Sequence, residues 1–260
     1  MADKGKDLTF WEHLDELRSA LIRIVCAGLV CGVVAFIFKE WLFDFILAPS
    51  KSDFVTYRLM NKLGGITGVA VDDFRVDMIN TALAQQFIIH MKTAFAVGLL
   101  CASPYVLFCL MRFISPALYN AERRLVLGVV GSGYAMFLMG MALCYLLIFP
   151  LTFRFLGTYQ VSEEVVNMIS LESYISTLTS MSLMMGIVFE LPIICWLVAK
   201  LGMLKASFMR NYRKHAIVAI LVVAAIITPT SDAFTLALVS LPMYLLYEIS
   251  IKVVSNTKQI

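Results

Sequence analysis

Of the 260 residues in this chain, 60% are apolar and only 15% are charged, against about 25% charged in an average soluble domain. With 21 Lys and Arg, 18 Asp and Glu and a mean hydropathy of +0.85, too little charge is left to solvate a globular surface, so most of the chain must face lipid or other helices. A net charge of +3, with no basic run interleaved with aromatics, argues against a nucleic-acid groove.

In chain order, Thr9 followed by Glu12 fits a capping box, and Phe10, Leu14, Leu17, Leu21 and Ile24 recur at helical spacing. They predict a cytoplasmic helix that runs without interruption into a first span over residues 20–38. Arg23, one turn from the start of that span, can snorkel to the headgroups. Acids Asp3, Asp7, Glu12, Asp15 and Glu16, mixed with Lys4 and Lys6, are unlike the purely basic start of a signal peptide, so the N-terminus is expected to be retained. Residues 39–92 read as an external loop punctuated by Pro49, Gly64, Gly65 and Gly68. Its second half, Asp72 to His90, patterns as an amphipathic helix entering a second span. A structured cap is expected there.

Further spans at 93–111, 125–149 and 173–199 are long enough to cross roughly 30 Å of hydrocarbon. The runs 216–228 and 233–247, separated by Pro229, Thr230, Ser231 and Asp232, reach only about 20 Å, so they thin the bilayer or lean on longer helices. The expected fold is all-α: a polytopic membrane protein with six transmembrane helices in a single domain over residues 1–260, the last two helices short. No internal repeat of the kind found in inverted-repeat transporters is present. Of the 21 basic residues, 14 fall in the tails and even-to-odd loops. Six of the other seven lie in or beside the long first loop, offset there by six acids. Both termini are therefore expected in the cytoplasm. Cys26, Cys31, Cys101, Cys109, Cys144 and Cys195 all lie in apolar stretches without a CxxC or Cys/His cluster, and read as small buried hydrophobes.

Few polar positions stand out against this background. Glu12 and Asp15 suit the positive end of a helix dipole. Glu16 lies nearly two turns in, where that effect has faded, so a binding role and a merely solvated acid both remain open. The loop from Phe113 to Arg124 combines Phe113, Pro116, Tyr119, Glu122, Arg123 and Arg124. It reads either as a helix start capped by Ser115 with Pro116 at its first position, or as a recognition surface. Ser173, Ser176, Thr179, Ser182, Gly186 and Glu190 step along the fourth span every three or four residues. An ionised acid near the bilayer centre costs about 2.5–3.5 kcal/mol even on a lenient scale. Glu190 is therefore protonated, paired or facing a wet cavity, or else it serves as polar glue between helices, while Pro192 kinks the helix beside it. No catalytic signature is found: Gly131-Ser132-Gly133 lacks the first glycine of an intramembrane serine protease, and His13, His90 and His215 are far apart. No metal or cofactor is expected.

The string Phe10-Trp11-Glu12-His13-Leu14-Asp15-Glu16-Leu17-Arg18 resembles the N-terminal motif of the TatC family, the polytopic receptors of the twin-arginine protein translocase. Ala48-Pro49 resembles that family's first-loop proline, and Phe113 through Arg124 its Phe-x-x-Pro-x-Leu-x-x-x-Glu-Arg-Arg loop. Phe149-Pro150, Phe189-Glu190-Leu191-Pro192, Thr228-Pro229 and Leu241 through Ile249 are similar to its remaining motifs. The resemblance implies that Glu16 and Glu122 bind the arginines of a signal peptide, with Phe113, Pro116, Arg18 and Arg123 in the same cytoplasmic site. It implies that Glu190, Pro192 and Asp232 are the intramembrane polar positions used in transport. It further implies single-span TatA- and TatB-type partners, assembly into an oligomer, folded cargo bearing twin-arginine signals, energy from the proton gradient, and residence in a bacterial inner membrane. A proton- or ion-coupled small-molecule transporter using Glu190 is the competing reading. It requires a second intramembrane charge facing Glu190, and the sequence offers none.

Overall fold

The computed structural model describes residues 10–67, 78–114, 126–162, 167–228 and 232–257. The apolar periodicity after Thr9 gives one helix, α1 (Phe10–Ile37), of about 42 Å at 1.5 Å per residue. At Phe38 the backbone leaves helical geometry and a second helix, α2 (Lys39–Leu47), begins. Pro49 sets a single 3₁₀ turn at Ala48–Ser50, and α3 (Val55–Thr67) follows. Within the stretch 39–92, residues 39–67 thus form helices of their own.

The expected helix from Asp72 to His90 is corrected. Residues 72–77 lie outside the described residues, Met78–Ile79 form a strand β1, and helix α4 (Gln85–Ile114) starts only at Gln85. Local bonds hold the intervening turn. The Asn80 side-chain amide donates to the Ala82 carbonyl at 3.2 Å, and the Thr81 and Ala82 N–H groups donate to the Gln85 side-chain oxygen at 3.2 Å. Side-chain bonds of this kind compete with helix. β1 pairs in parallel with a second two-residue strand, β2 (Ile169–Ser170), Met78 opposite Ile169 and Ile79 opposite Ser170. A long-range pairing of this kind leaves no trace in local periodicity.

The third span is longer than its apolar run. It comprises α5 (Val126–Leu143), a π-helical turn at Cys144–Ile148, and α6 (Phe149–Thr158). The fourth span is broken rather than continuous: α7 (Leu171–Phe189) and α8 (Leu191–Lys200) meet at Glu190. A short α9 (Ala206–Asn211) precedes α10 (Arg213–Ile227), which is 15 residues long, and α11 (Ala233–Asn256) closes the described chain. α11 continues well past the apolar run 233–247 because Leu246, Ser250, Ile251 and Val254 keep one face buried. Five helical stretches are long and apolar enough to span a membrane: Leu14–Ile37, Gln85–Cys109, Gly128–Thr158, Leu171–Lys200 and Ala233–Asn256. The shorter α10 makes the sixth membrane helix.

The chain divides into two compact units, residues 1–37 with 94–134, and residues 38–93 with 135–260. In the first, α1 and α4 cross at glycines. A Cβ on Gly98 would fall 2.5 Å from the Gly32 Cα and 2.7 Å from the Gly28 carbonyl oxygen, and one on Gly32 would meet Ala94 and Phe95 backbone. Small residues four apart let two backbones touch, as in membrane-helix pairs generally.

In the second unit, three tyrosines fasten the cap to the spans. The Tyr174 hydroxyl donates to the Ile46 carbonyl at 3.0 Å and that of Tyr145 to the Phe45 carbonyl at 2.6 Å. These carbonyls belong to the last turn of α2, where that of Phe45 also accepts from the Ala48 N–H. From α3, the Tyr57 hydroxyl donates to the Pro150 carbonyl at 2.8 Å, with the Pro49 carbonyl 3.1 Å away as its alternative acceptor. Pro150 has no N–H to offer the Leu146 carbonyl one turn back, and the Thr56 hydroxyl donates to that carbonyl. Phe149 and Phe153 set their rings edge-on to Tyr174 at 5.1 and 5.0 Å. α5 and α7 also meet at glycines: a Cβ on Gly140 would lie 2.5 Å from the Met185 carbonyl oxygen, and one on Gly186 would lie 2.7 Å from the Phe137 ring. Among the cysteines, Cys109 and Cys144 are buried as expected, whereas Cys26 and Cys101 are exposed. A small apolar group suits a lipid-accessible position equally well.

Candidate functional site

The first set of site residues belongs to the first unit, and its arrangement follows from the glycine crossing. Gly32 meets Ala94 and Phe95 while Gly28 meets Leu99, so the two helices run antiparallel. Going toward the N-terminus from Gly28, Glu16 is about 18 Å along α1; going toward the C-terminus from Gly98, Phe113 is about 22 Å along α4. The N-terminal turns of α1 and the last turn of α4 are therefore at the same end of the unit. Glu16 and Arg18 are exposed on α1, free of the packing that would make them structural. Arg23 turns its guanidinium toward the N-terminus and donates to the Ser19 carbonyl at 3.1 Å and the Ser19 hydroxyl at 2.9 Å, the direction expected of a snorkelling side chain. Phe113 lies in the last turn of α4. Thr9, Ser115, Pro116, Glu122 and Arg123 lie outside the described residues.

The second set belongs to the second unit. Pro192 at the start of α8 has no N–H with which to continue α7, and Glu190 is both the last cap of α7 and the first of α8. Its N–H bonds the Ile187 carbonyl at 3.1 Å, and its own carbonyl accepts from Ile193 and Ile194 at 3.0 and 2.9 Å. The side chain is half-buried, and its Oε1 finds no hydrogen-bond partner among the described residues. That is unlike an incidental helix contact, in which the polar atom finds a mate. Pro192 is buried. Asp232 caps α11, its Oδ1 accepting from the Thr235 N–H at 2.7 Å, so it holds a helix start whatever else it does. Pro49 is buried and lends its carbonyl to Tyr57.

Several positioning residues escape a reading of the sequence. Gly28 and Gly32 carry a legible small-xxx-small signal, but their mate Gly98 is identified only by the fold. Glu172 accepts from Gln85 at 3.0 Å and pairs with Lys92 at 3.1 Å, joining the starts of α7 and α4 beside the two-stranded ladder. Nothing in its own sequence neighbourhood points to those partners.

The family model of the Sec-independent protein translocase protein TatC matches residues 12–242. The chain belongs to the TatC family. TatC from Blattabacterium sp. subsp. Periplaneta americana (strain BPLAN) is 34% identical over 257 residues, covering 96% of each chain. The Aquifex aeolicus (strain VF5) protein is 31% identical over 92% of each. Two crystal structures of the twin arginine translocase receptor TatC superpose at TM-scores of 0.75 and 0.76, both at 31% identity. They match 94% and 93% of this chain, and 98% of each crystallised chain. This TatC-family chain is accordingly a multi-pass, six-helix membrane subunit of the Sec-independent protein translocase.

Proposed function

We propose that this chain is the receptor and core subunit of the twin-arginine translocase. It binds twin-arginine signal peptides at Glu16 and Glu122, with Phe113, Pro116, Arg18 and Arg123 around them. The observation that carries this reading is the glycine-set antiparallel register, with exposed Glu16 at the end where α4 leads into residues 115–125. A twin-arginine signal offers two planar guanidinium forks, and carboxylates are their best bidentate partners; a lysine would bind the same acids only as a point charge. The chain acts by recognition and assembly rather than catalysis. Its partners are single-span TatA- and TatB-type proteins in the bacterial inner membrane, its termini are cytoplasmic, and the proton gradient drives transport. Glu190 and Pro192 serve the transport step within the membrane, together with Asp232 beyond its capping role.

Losing a charge-assisted bidentate contact costs about 1.5–3 kcal/mol, roughly ten- to a hundredfold in affinity. Crosslinking of a labelled signal peptide in native membranes should be nearly abolished by Glu122→Ala and weakened by Glu16→Ala. Asp15→Ala, a neighbouring exposed acid, should leave it unchanged, and a Lys-Lys signal should bind worse than Arg-Arg. Equal loss from all three variants would replace the site with diffuse negative charge.

A further inference from the structure

The far end of α11 gathers a second charged surface. Ala199, Met209, Ile251 and Val254 form one buried cluster, with Leu204, Ala206 and Tyr247 packed on it, and the Tyr247 hydroxyl donates to the Met209 carbonyl at 2.8 Å. Five of these anchors stand beside a cation in sequence: Lys200 follows Ala199, Lys205 lies between Leu204 and Ala206, Arg210 follows Met209, and Lys252 follows Ile251. The packing of the cluster therefore draws these cations together around one end of the second unit. Lys205, Arg210 and Lys252 are exposed.

Opposing charge is scarce. From Leu191 to the C-terminus the only acids are Asp232 and Glu248. Asp232 is about 30 Å away along α11, and Glu248 is paired with Arg213 at 2.8 Å. Exposed apolar side chains alternate with the cations: Met203 is 77% exposed and Phe208 55%, with the Phe208 and Tyr212 rings 4.5 Å apart. A soluble acidic partner would have no use for that alternation, whereas the headgroup layer accommodates both kinds of side chain. A second observation sets the depth. α10 opens with Arg213 and Lys214 and has only 15 residues, about 22 Å against roughly 30 Å of hydrocarbon. A helix that short pulls the headgroups toward its ends.

We propose that the surface formed by Lys205, Arg210 and Lys252, with Phe208 beside them, binds the phosphates of acidic phospholipids. Arg210 offers a guanidinium fork and the lysines offer point charges to phosphate oxygens, while Phe208 and Met203 enter the acyl boundary. Each cation near an acidic surface contributes about fivefold in partitioning, so removing three lowers occupancy by roughly ten- to a hundredfold once salt screening is included.

The test uses the full-length protein in mild detergent, mixed with equal amounts of phosphatidylglycerol and phosphatidylcholine, with bound lipid read by native mass spectrometry. The wild type should retain phosphatidylglycerol at least tenfold over phosphatidylcholine. The triple variant Lys205→Gln, Arg210→Gln, Lys252→Gln should lose that preference. A variant with Lys205→Arg and Lys252→Arg should keep it, as should a control triple, Lys39→Gln, Lys51→Gln, Lys62→Gln, whose lysines are exposed but lie in the cap. Undiminished preference in the first triple, equal loss in the control triple, or no preference in the wild type would each overturn the proposal. So would lipid binding that is unchanged while recovery of a co-purified single-span protein falls, an outcome that would assign the surface to a protein.

Discussion

At Tyr57 one phenol ties the cap to a span, because its hydroxyl donates to the Pro150 carbonyl with the Pro49 carbonyl also in reach. Burial pushes its phenol pKa well up, opposed by the charge of Arg154, so the hydroxyl keeps its proton throughout the working pH range. Tyr57→Phe leaves buried carbonyls without that donor and should cost about 1–3 kcal/mol, read as a lower unfolding temperature in detergent by tryptophan fluorescence. Tyr159→Phe, at an exposed position, should change nothing. Glu190 presents the opposite case. Its Oε1 lacks a mate among the described residues, so an apolar replacement relieves a desolvation penalty rather than breaking a bond. Glu190→Leu and Glu190→Gln should therefore insert normally and unfold at the same or a higher temperature, yet reduce export of folded cargo more than signal-peptide binding. Function commonly retains groups that stability would discard. Clear destabilisation with intact export would make Glu190 helix glue. Loss of signal binding would put it in the wrong step.

Among the elements, the sharpest dependence is the crossing of α1 and α4. A methyl on Gly98 would run into Gly32 and Gly28 backbone, which cannot swing aside as a side-chain tip can, so Gly98→Ala should push the two helices apart. Gly131 has nothing within 4 Å of where its Cβ would lie, and Gly131→Ala should be neutral or slightly stabilising through helix propensity. A disulfide-trapping comparison of cysteine pairs across the crossing, made in each background, should show loss only for Gly98→Ala. Undisturbed trapping there would mean that the crossing tolerates separation. The same elements show how much of the fold is legible in the residues. The spans are legible because uninterrupted apolar runs have few alternatives, and the break beside Pro192 follows from its missing N–H. The strand at Met78–Ile79 is illegible because its stabilising partner is about 90 residues away, and the extension of α11 to Asn256 rests on tertiary burial of Ile251 and Val254. At the candidate site, Glu16 and Glu190 stand out as acids out of place. Gly98, Tyr57 and Glu172 act through partners distant in sequence, and no local pattern marks them.

For the whole molecule the decisive property is orientation, since the proposed receptor role requires α1 and residues 115–125 on the cytoplasmic side. The asymmetry of 14 basic residues to seven is the pattern expected of a chain with both termini in the cytoplasm. Six membrane helices, an even number, return the chain to the side on which it began. The natural cysteines are free, so all can be replaced by Ala or Ser, with Cys144 and Cys109, both buried, better replaced by Val or Ala to keep the packing. Single cysteines can then be set at Ser255, exposed in the last turn of α11, at Asn120, and at Gly64 in α3. In intact spheroplasts a membrane-impermeant maleimide should label Gly64→Cys alone, and in inverted vesicles Asn120→Cys and Ser255→Cys should react. The Ser255 position carries the most weight, because α10 is the one membrane helix below ordinary spanning length. If α10 failed to cross, α11 would run the other way, and Ser255→Cys would label from outside while Asn120→Cys stayed protected. That result would leave the recognition end of α1 in the cytoplasm but reduce the bundle to five crossings, and it would place Lys205, Arg210 and Lys252 on opposite sides of the membrane, which their shared packing around Met209 and Ile251 does not allow.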